Sequence, residues 1–233
     1  MGASSGIGLE VARQLKKRGW TVGAAARRVE RLAEFDAAAQ IDVTSEDAGN
    51  LLVQLVNQLG GMELYFHASG IGKQNRELHE GIELRTMETN ATGFTRMIGA
   101  AFRYMAVHGG GHIAVVSSIA GTKGLGPAPA YSATKALQNT YIEALEQLAN
   151  VRKLNICFTD LRAGFVDTDL LRPDSAETEG MRYPMLMDAA TVARDMVRAI
   201  EQRRHIRVID WRWRMVTAVW RLVPRWLWRH LKL

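Results

Sequence analysis

Short apolar runs alternate with helical patterns along most of this 233-residue chain. Five apolar runs are expected to form buried strands, over residues 20–26, 64–68, 112–116, 155–160 and 206–209. Between them, apolar residues recur at helical spacing over 7–18, 46–59, 83–108, 133–151 and 191–202. Apolar strands that alternate with helices predict a parallel sheet covered on both faces. The expected fold class is α/β, a three-layer doubly wound parallel sheet.

The chain begins directly at a glycine turn, whereas a Rossmann-like fold places a strand before such a turn. That strand is central in a doubly wound sheet, so without it the neighbouring strands lack hydrogen-bond partners. We therefore expect the first strand to be absent from this sequence and the natural protein to start several residues before Met1. Intact mass of the protein from its native source tests this, because a mass matching residues 1–233 alone would contradict it.

Positive charge is concentrated at the C-terminal end of the chain. The net charge is +6, but residues 203–233 hold nine basic residues and one acid, Asp210, and so carry +8. The rest of the chain carries −2, which argues against a nucleic-acid-binding fold. We expect one domain over residues 1–210 and a basic tail over 211–233.

No apolar run reaches the roughly 20 residues needed to span a bilayer, and the single cysteine gives no disulfide, so the expected location is cytoplasmic.

The turn Gly2-Ala3-Ser4-Ser5-Gly6-Ile7-Gly8 leads directly into the first helical pattern. Glycines let the backbone approach a phosphate closely, and a helix N-terminus offers free N–H groups to an anion. The spacing matches neither the G-x-G-x-x-G fingerprint nor a P-loop. A dinucleotide pyrophosphate is the expected ligand, and a glycine-rich turn without a ligand is the alternative.

Two arginines, Arg27 and Arg28, end the next apolar run. In a doubly wound fold this point meets the adenosine ribose. An acid there would bind the 2′-hydroxyl, whereas a guanidinium suits a 2′-phosphate. The pair therefore predicts NADP over NAD, with solvated surface arginines as the alternative.

A tyrosine and a lysine four residues apart, Tyr131 and Lys135, share one face of a predicted helix. A nearby ammonium stabilises phenolate and lowers the tyrosine pKa, which suits Tyr131 to proton exchange with a substrate oxygen. Ser118 follows the apolar run 112–116, at the strand end where ligands bind in this architecture. Many Tyr-x-x-x-Lys pairs are only surface pairs, so the prediction depends on the residues around this one.

Taken in order, the glycine turn, Asp42-Val43, Asn90, Ser118, Tyr131 and Lys135 resemble the short-chain dehydrogenase/reductase family. The resemblance extends from Gly2 to about Ile209. Its most specific part is the string Val115-Val116-Ser117-Ser118-Ile119-Ala120-Gly121, followed by Tyr131-Ser132-Ala133-Thr134-Lys135.

The resemblance implies a role for each matching residue. In the reaction centre it implies that Tyr131 is the acid/base and that Lys135 binds the nicotinamide ribose. It implies that Ser118 orients the substrate oxygen and that Asn90 holds a water in a proton relay. The glycine turn would hold the pyrophosphate, and further positions would contact the adenine or the carboxamide. The implied cofactor-binding set is Gly2, Ser4, Ser5, Gly6, Ile7, Gly8, Arg27, Arg28, Asp42, Val43, Tyr131, Lys135, Val166 and Thr168, and no metal site is expected.

The chain departs from the family pattern at three places. Met1 stands where Thr is usual, His67-Ala68-Ser69-Gly70 stands in place of Asn-Asn-Ala-Gly, and Ala163-Gly164 stands in place of Pro-Gly. A catalytic role for His67 is conceivable, but a strand-end histidine hydrogen-bonded to backbone is the favoured interpretation. The Asn, Ser, Tyr and Lys set is intact.

The expected function is hydride transfer between NADP(H) and a small-molecule carbonyl or alcohol substrate, and the family implies reduction as the direction. Two alternatives stay open. One is a cofactor-binding regulatory protein without turnover, and the other is an epimerase or isomerase that uses bound cofactor transiently. The apolar face of the helix over 133–151 predicts a homo-oligomer. Residues 169–188, with charges at 172, 174, 177, 179 and 182 among several methionines, are expected to cover the substrate.

The tail over 211–233 holds five of the six tryptophans, interleaved with arginines, and Pro224 divides it into two short helical segments. Tryptophan and arginine on an amphipathic helix suit the headgroup layer of a membrane. They also suit docking on a partner subunit. Peripheral membrane contact is slightly favoured of these two, and nucleic-acid binding is the least favoured interpretation.

Overall fold

The computed structural model describes residues 1–171 and 183–231. The helices are α1 (Gly6–Lys17), α2 (Ala48–Gln58), α3 (Glu80–Met87), α4 (Phe94–Val107), α5 (Pro129–Val151), α6 (Ala189–Glu201), α7 (Trp211–Leu222) and α8 (Arg225–Trp228). The strands are β1 (Gly23–Ala26), β2 (Ala37–Gln40), β3 (Leu64–His67), β4 (Gly111–Ser118), β5 (Ile156–Ala163) and β6 (Ile206–Val208). The charged residues 172, 174, 177, 179 and 182 of the expected substrate cover lie outside the described residues.

Every strand pair in the described residues is parallel. One sheet has the order β1-β2, and a second has the order β3-β4-β5-β6. Helices connect the strands, as parallel pairing requires. The α/β doubly wound fold class is thereby confirmed.

Met1 and Gly2 lie between the two sheets. The Met1 backbone nitrogen donates to the Phe66 carbonyl at 2.8 Å, and the Ala68 N–H donates to the Met1 carbonyl at 2.9 Å. On the other side, the Gly2 N–H donates to the Ala25 carbonyl at 2.8 Å. These bonds hold the glycine turn at the carboxyl ends of β1 and β3. Below the turn, the facing edges of β1 and β3 border a cavity of about 580 Å³ that α1 and α2 help to line.

The sheets are covered on both faces by helices. One core contains residues of α2, α4 and α5, including the fully buried Phe94 and Phe158. The other contains residues of α1 and α6, including Val11 and Met196, and extends to Trp213 of α7. This gives the three expected layers, in which the central strands β4 and β5 are buried on both faces.

Most predicted elements are present, with shifted bounds. The helix expected over 83–108 is two helices, α3 and α4, joined by a π-helical segment over Glu88–Gly93. Helix α5 starts at Pro129 rather than residue 133, so Tyr131 and Lys135 both lie within its first two turns. Strand β2 was not predicted, because Ala37-Ala38-Ala39-Gln40 has low strand propensity.

The tail forms two helices, α7 and α8, separated at Pro224 as predicted. Trp213 of α7 is buried against the domain, so the inner side of the tail belongs to the core. Among the described residues, no helix combines the length and the apolar character that crossing a membrane would need.

Candidate active site

The glycine turn packs its backbone tightly against neighbouring loops. A Cβ at Gly2, whose φ is +85°, would lie 2.7 Å from the Ser69 nitrogen, and a Cβ at Gly8 would overlap the Gly2 carbonyl. Helix α1 then starts at Gly6, with no acidic residue in its first turn and no side-chain cap. Ile7 is half-buried and packs on the adjoining core. The free backbone N–H groups of the turn and the positive end of the α1 helix dipole therefore lie together at the N-terminus of α1.

The two predicted arginines follow β1 directly and are exposed. Arg28 Nη2 donates to Ser5 Oγ at 2.9 Å and approaches Ser4 Oγ at 3.3 Å. This places one guanidinium directly beside the glycine turn. Arg27 is exposed at the same strand end, and no contact of its side chain identifies its role.

Asp42 and Val43 follow β2 at the same edge of the sheet. The Asp42 carboxylate accepts from the Thr44 N–H at 3.0 Å and from its hydroxyl at 2.8 Å. Val43 is buried, and its carbonyl accepts from Arg96 Nη1 at 2.8 Å. The pair is thus rigidly held near the turn, and its contact with an adenine stays a prediction.

Ser118 and Tyr131 meet at the carboxyl end of β4. Ser118 is the last residue of that strand, and its hydroxyl lies 3.2 Å from the Ala163 carbonyl and accepts from the Ala120 N–H at 3.1 Å. The half-buried Tyr131 is hydrogen-bonded to Ser118. Burial raises the pKa of Tyr131, and the bond to Ser118 opposes that rise. Burial therefore dominates the pKa of Tyr131, in contrast to the lowering by Lys135 that the sequence predicted.

Lys135 lies beneath this pair and is 5% exposed. Its Nζ is 5.7 Å from the centre of the Tyr131 ring and donates to the Val116 carbonyl at 3.1 Å. Burial lowers the pKa of Lys135 to about 8, although the carboxylate of Asp160 partly offsets this effect. The predicted Tyr, Lys and Ser set is therefore brought together.

Gln138 connects Lys135 to Asn90 and was not predicted. Its Oε1 accepts from Lys135 Nζ at 2.9 Å, while its Nε2 donates to the Asn90 carbonyl at 2.8 Å. The Asn90 side chain donates to the Ile71 carbonyl at 2.7 Å and accepts from the Ile71 N–H at 2.9 Å. A protein side chain thus makes the link between Asn90 and Lys135, and the water relay implied by the family stays a prediction. Helical spacing was the available signal, because positions 131, 135 and 138 share one face.

A second buried group lies behind Lys135 and was also missed. Asp160 accepts from Ser117 Oγ on one oxygen, and Arg162 Nε donates to its other oxygen at 2.7 Å. Asp160 is 3% exposed and Arg162 is 7% exposed. Position 160 closes an apolar run in the sequence, which gave no sign of a buried ion pair.

His67 ends β3 and is fully buried. Its Nδ1 lies 3.0 Å from the Tyr65 hydroxyl, and its ring packs edge-on against Phe94 at 5.2 Å. Burial holds the pKa of His67 well below its usual value. These contacts are those of a core residue and favour the structural interpretation over a catalytic one.

Val166 and Thr168 follow β5 and reach back to the glycine turn. Val166 is buried and pairs with Met187, while the Thr168 methyl would lie 3.0 Å from a Cβ at Gly6. Thr168 therefore lies against the glycine turn, and contact of Val166 and Thr168 with a carboxamide stays a prediction.

Comparison with known proteins identifies the family to which the chain belongs. A family model described as short chain dehydrogenase matches residues 1–179. The chain belongs to the short-chain dehydrogenase family. This confirms the resemblance inferred from the Gly, Asn, Ser, Tyr and Lys pattern.

Similar proteins cover nearly the whole chain. An uncharacterized oxidoreductase of Mycobacterium tuberculosis is 30% identical over 96% of this chain and 92% of its own. A 3-oxoacyl-[acyl-carrier-protein] reductase of Bos taurus is 30% identical over 90% of this chain and 94% of its own. The solved structure of ElxO with NADP bound superposes with a TM-score of 0.78 at 19% identity, over 92% of this chain and 97% of that one. The last likeness confirms the fold.

Proposed function

We propose that this member of the family is an NADP(H)-dependent reductase of a small-molecule carbonyl, with Tyr131 as acid/base. The observation that carries the proposal is the grouping of three side chains: Tyr131 is hydrogen-bonded to Ser118, and the buried Lys135 ammonium lies 5.7 Å from the centre of the Tyr131 ring. It lies at the carboxyl end of β4, beside the glycine turn. Proton exchange and anion binding are therefore available in one cleft.

The cradle fits a dinucleotide. Gly2 and Gly8 leave no room for a Cβ, because neighbouring backbone packs against both, so only glycine allows the turn to keep this path. The free N–H groups where the turn enters α1 suit a pyrophosphate. Arg28, held at the serines of the turn, suits a 2′-phosphate and favours NADP over NAD. The NADP bound in the structure of ElxO supports the same choice. When bound, the coenzyme supplies the hydride that reduces the carbonyl carbon.

The protein's own part is to hold the substrate oxygen and move a proton. In the proposed complex, the Ser118 hydroxyl and the Tyr131 phenol each donate a hydrogen bond to the carbonyl oxygen of the substrate. Tyr131 then donates its proton as negative charge develops on that oxygen, and its rise in pKa on burial keeps it protonated beforehand. Two of the three N–H groups of the Lys135 ammonium have described acceptors, which leaves one for a ribose hydroxyl.

Replacing Tyr131 by phenylalanine tests the assignment. Fluorescence titration with NADPH and NADH measures binding, and NADPH oxidation with ketones, aldehydes and quinones measures turnover. We expect a loss of turnover of about 10²–10⁴-fold with NADPH binding retained. Turnover that survives the substitution would contradict the role of Tyr131. Binding without turnover of any carbonyl by the wild type would support a regulatory protein or an epimerase instead.

We further propose that the protein is a cytoplasmic homo-oligomer. Helix α5 leaves Leu137 and Leu148 exposed on one stripe, which supports pairing of subunits through this helix. Leu145 belongs to the apolar face that the sequence predicts for this helix, but it is buried in the core and is not available to a second subunit. Light scattering on the purified protein measures the subunit number, and a monomer at micromolar concentration would contradict the oligomer.

A further inference from the structure

The tail, residues 211–231 in the described structure, has an inner side that is fixed to the domain. Trp213 and Thr217 are buried. The Trp220 indole donates to Thr122 Oγ1 at 2.6 Å, and the Trp228 indole donates to the Gly124 carbonyl at 2.8 Å. These bonds bind the tail to the loop over 121–126, which separates Ser118 from Tyr131.

The outer side of the tail is apolar and exposed. Along α7, apolar side chains recur at spacings of four, four and three residues, which aligns them on one side of the helix. Trp211 at its start is 69% exposed, and Leu222 at its end is 82% exposed. The stripe continues past Pro224, and its members are Trp211, Met215, Val219, Leu222, Trp226, Leu227 and Leu231. Single exposed apolar residues are common, but a continuous stripe of this length marks a docking surface.

Positive charge surrounds this stripe. Arginines occur at positions 212, 214, 221, 225 and 229, and the sequence has no acidic residue between 211 and 231. Asp210, just before the tail, is paired with Arg212. A second copy of the same surface would place like charges opposite one another, so charge complementarity requires an anionic partner. Tryptophans and arginines along one apolar stripe match the depth and charge of an anionic lipid headgroup layer.

We propose that the outer side of the tail docks on an anionic phospholipid surface. The helices lie in the plane of the interface, with the apolar stripe at the boundary between headgroups and acyl chains and the arginines at the phosphates. Since the inner side of the tail holds loop 121–126, docking brings that side of the catalytic cleft to the membrane. This proposal is independent of the proposed reductase activity.

Sedimentation of the full-length protein with vesicles tests the docking. Vesicles of phosphatidylcholine and phosphatidylserine in equal parts are expected to bind the protein, and added salt is expected to release it. Vesicles of phosphatidylcholine alone are expected to bind much less. The double variant Arg225→Ala/Arg229→Ala is expected to weaken binding roughly thirty-fold. Arg152→Ala removes an exposed positive charge outside the tail and is the control, so its binding to vesicles should match that of the wild type.

A second pair of variants tests the apolar stripe. Leu222→Ser should weaken sedimentation, whereas Val107→Ser, at a residue that is 77% exposed on α4, should not. Unfolding midpoints check that both variants fold. Absence of sedimentation in the wild type, or equal sedimentation of all variants, would overturn the proposal. So would a Leu222→Ser variant that changes only the subunit number, because that outcome assigns the stripe to a second copy.

Discussion

Replacing Gln138 by leucine removes the side chain that joins Lys135 to Asn90. Gln138 is fully buried, and leucine offers neither its acceptor nor its donor, so the Val116 carbonyl remains the described hydrogen-bond acceptor of Lys135. A hydrogen bond to a charged group contributes about 1.5–3 kcal/mol, and about 1.4 kcal/mol changes a pKa by one pH unit. We therefore expect the pKa of Lys135 to fall from about 8 to roughly 6–7.

The pH dependence of kcat/KM for carbonyl reduction measures this change. If carbonyl reduction needs the Lys135 ammonium, activity is lost as the pH rises through the pKa of Lys135, which is about 8 in the wild type. In Gln138→Leu the same loss should occur at lower pH, so the variant should be weak at neutral pH and recover on acidification. In Gln138→Glu the new carboxylate stabilises the ammonium, so the loss should move to higher pH.

Gln14→Leu is the matched control, because Gln14 Nε2 also donates to a backbone carbonyl, that of Ala190 at 2.9 Å, away from the cleft. Its pH profile should match that of the wild type. Opposite displacements in the two Gln138 variants cannot come from a general loss of stability, which would lower activity at every pH. Profiles that coincide with the wild type in both variants would refute the link from Gln138 to Lys135.

Two further predictions concern the cofactor cleft and the tail. Arg28→Ala should raise the Kd for NADPH by roughly ten-fold to a hundred-fold and leave NADH unchanged, because a charge-assisted bond to the 2′-phosphate is lost; equal effects on both nucleotides in a titration would contradict the assignment. Gly164→Ala should lower the free energy of unfolding in urea by roughly 1–3 kcal/mol, because the added methyl overlaps the buried Trp213 indole. Gly126→Ala is its control, since a Cβ there meets no atom within 4 Å. Equal urea midpoints for the two variants would contradict the prediction, because they would show that Trp213 moves aside at no cost in stability.

The fold was largely predictable because its strands are apolar on both faces and its helices are amphipathic. Strands such as β4 and β5 are buried almost throughout, so their composition alone separates them from the helices. Strand β2 was not predicted because its three alanines have no preference for a strand. Their conformation is determined by pairing with β1. The π-helical segment at Glu88–Gly93 was not predicted because the spacing of apolar residues along a helix does not reveal a single turn with one extra residue.

The meeting of Ser118, Tyr131 and Lys135 was also predictable, but the residues that support them were not. Tyr131 and Lys135 form a local helical pair, and Ser118 follows a strand that ends beside them. Gln138 and Asp160 acquire their roles only through long-range packing, since Gln138 bonds to Asn90, 48 residues away, and Asp160 bonds to Ser117, 43 residues away. The same is true of the tail, whose tryptophans gave no sign in the sequence of which would turn inward.

The buried charges around Lys135 account for how the site stabilises a phenolate. Arg162 and Asp160 form a close pair, so their charges nearly cancel at a distance. Lys135 is then the remaining formal charge of this group, and it lies 5.7 Å from the centre of the Tyr131 ring. Its ammonium survives burial because a carbonyl and the Gln138 amide accept its protons and Asp160 attracts it. In the proposed reaction, Tyr131 becomes charged only as it donates its proton. One net positive charge beside the half-buried phenol would stabilise that charged state and so lower the barrier.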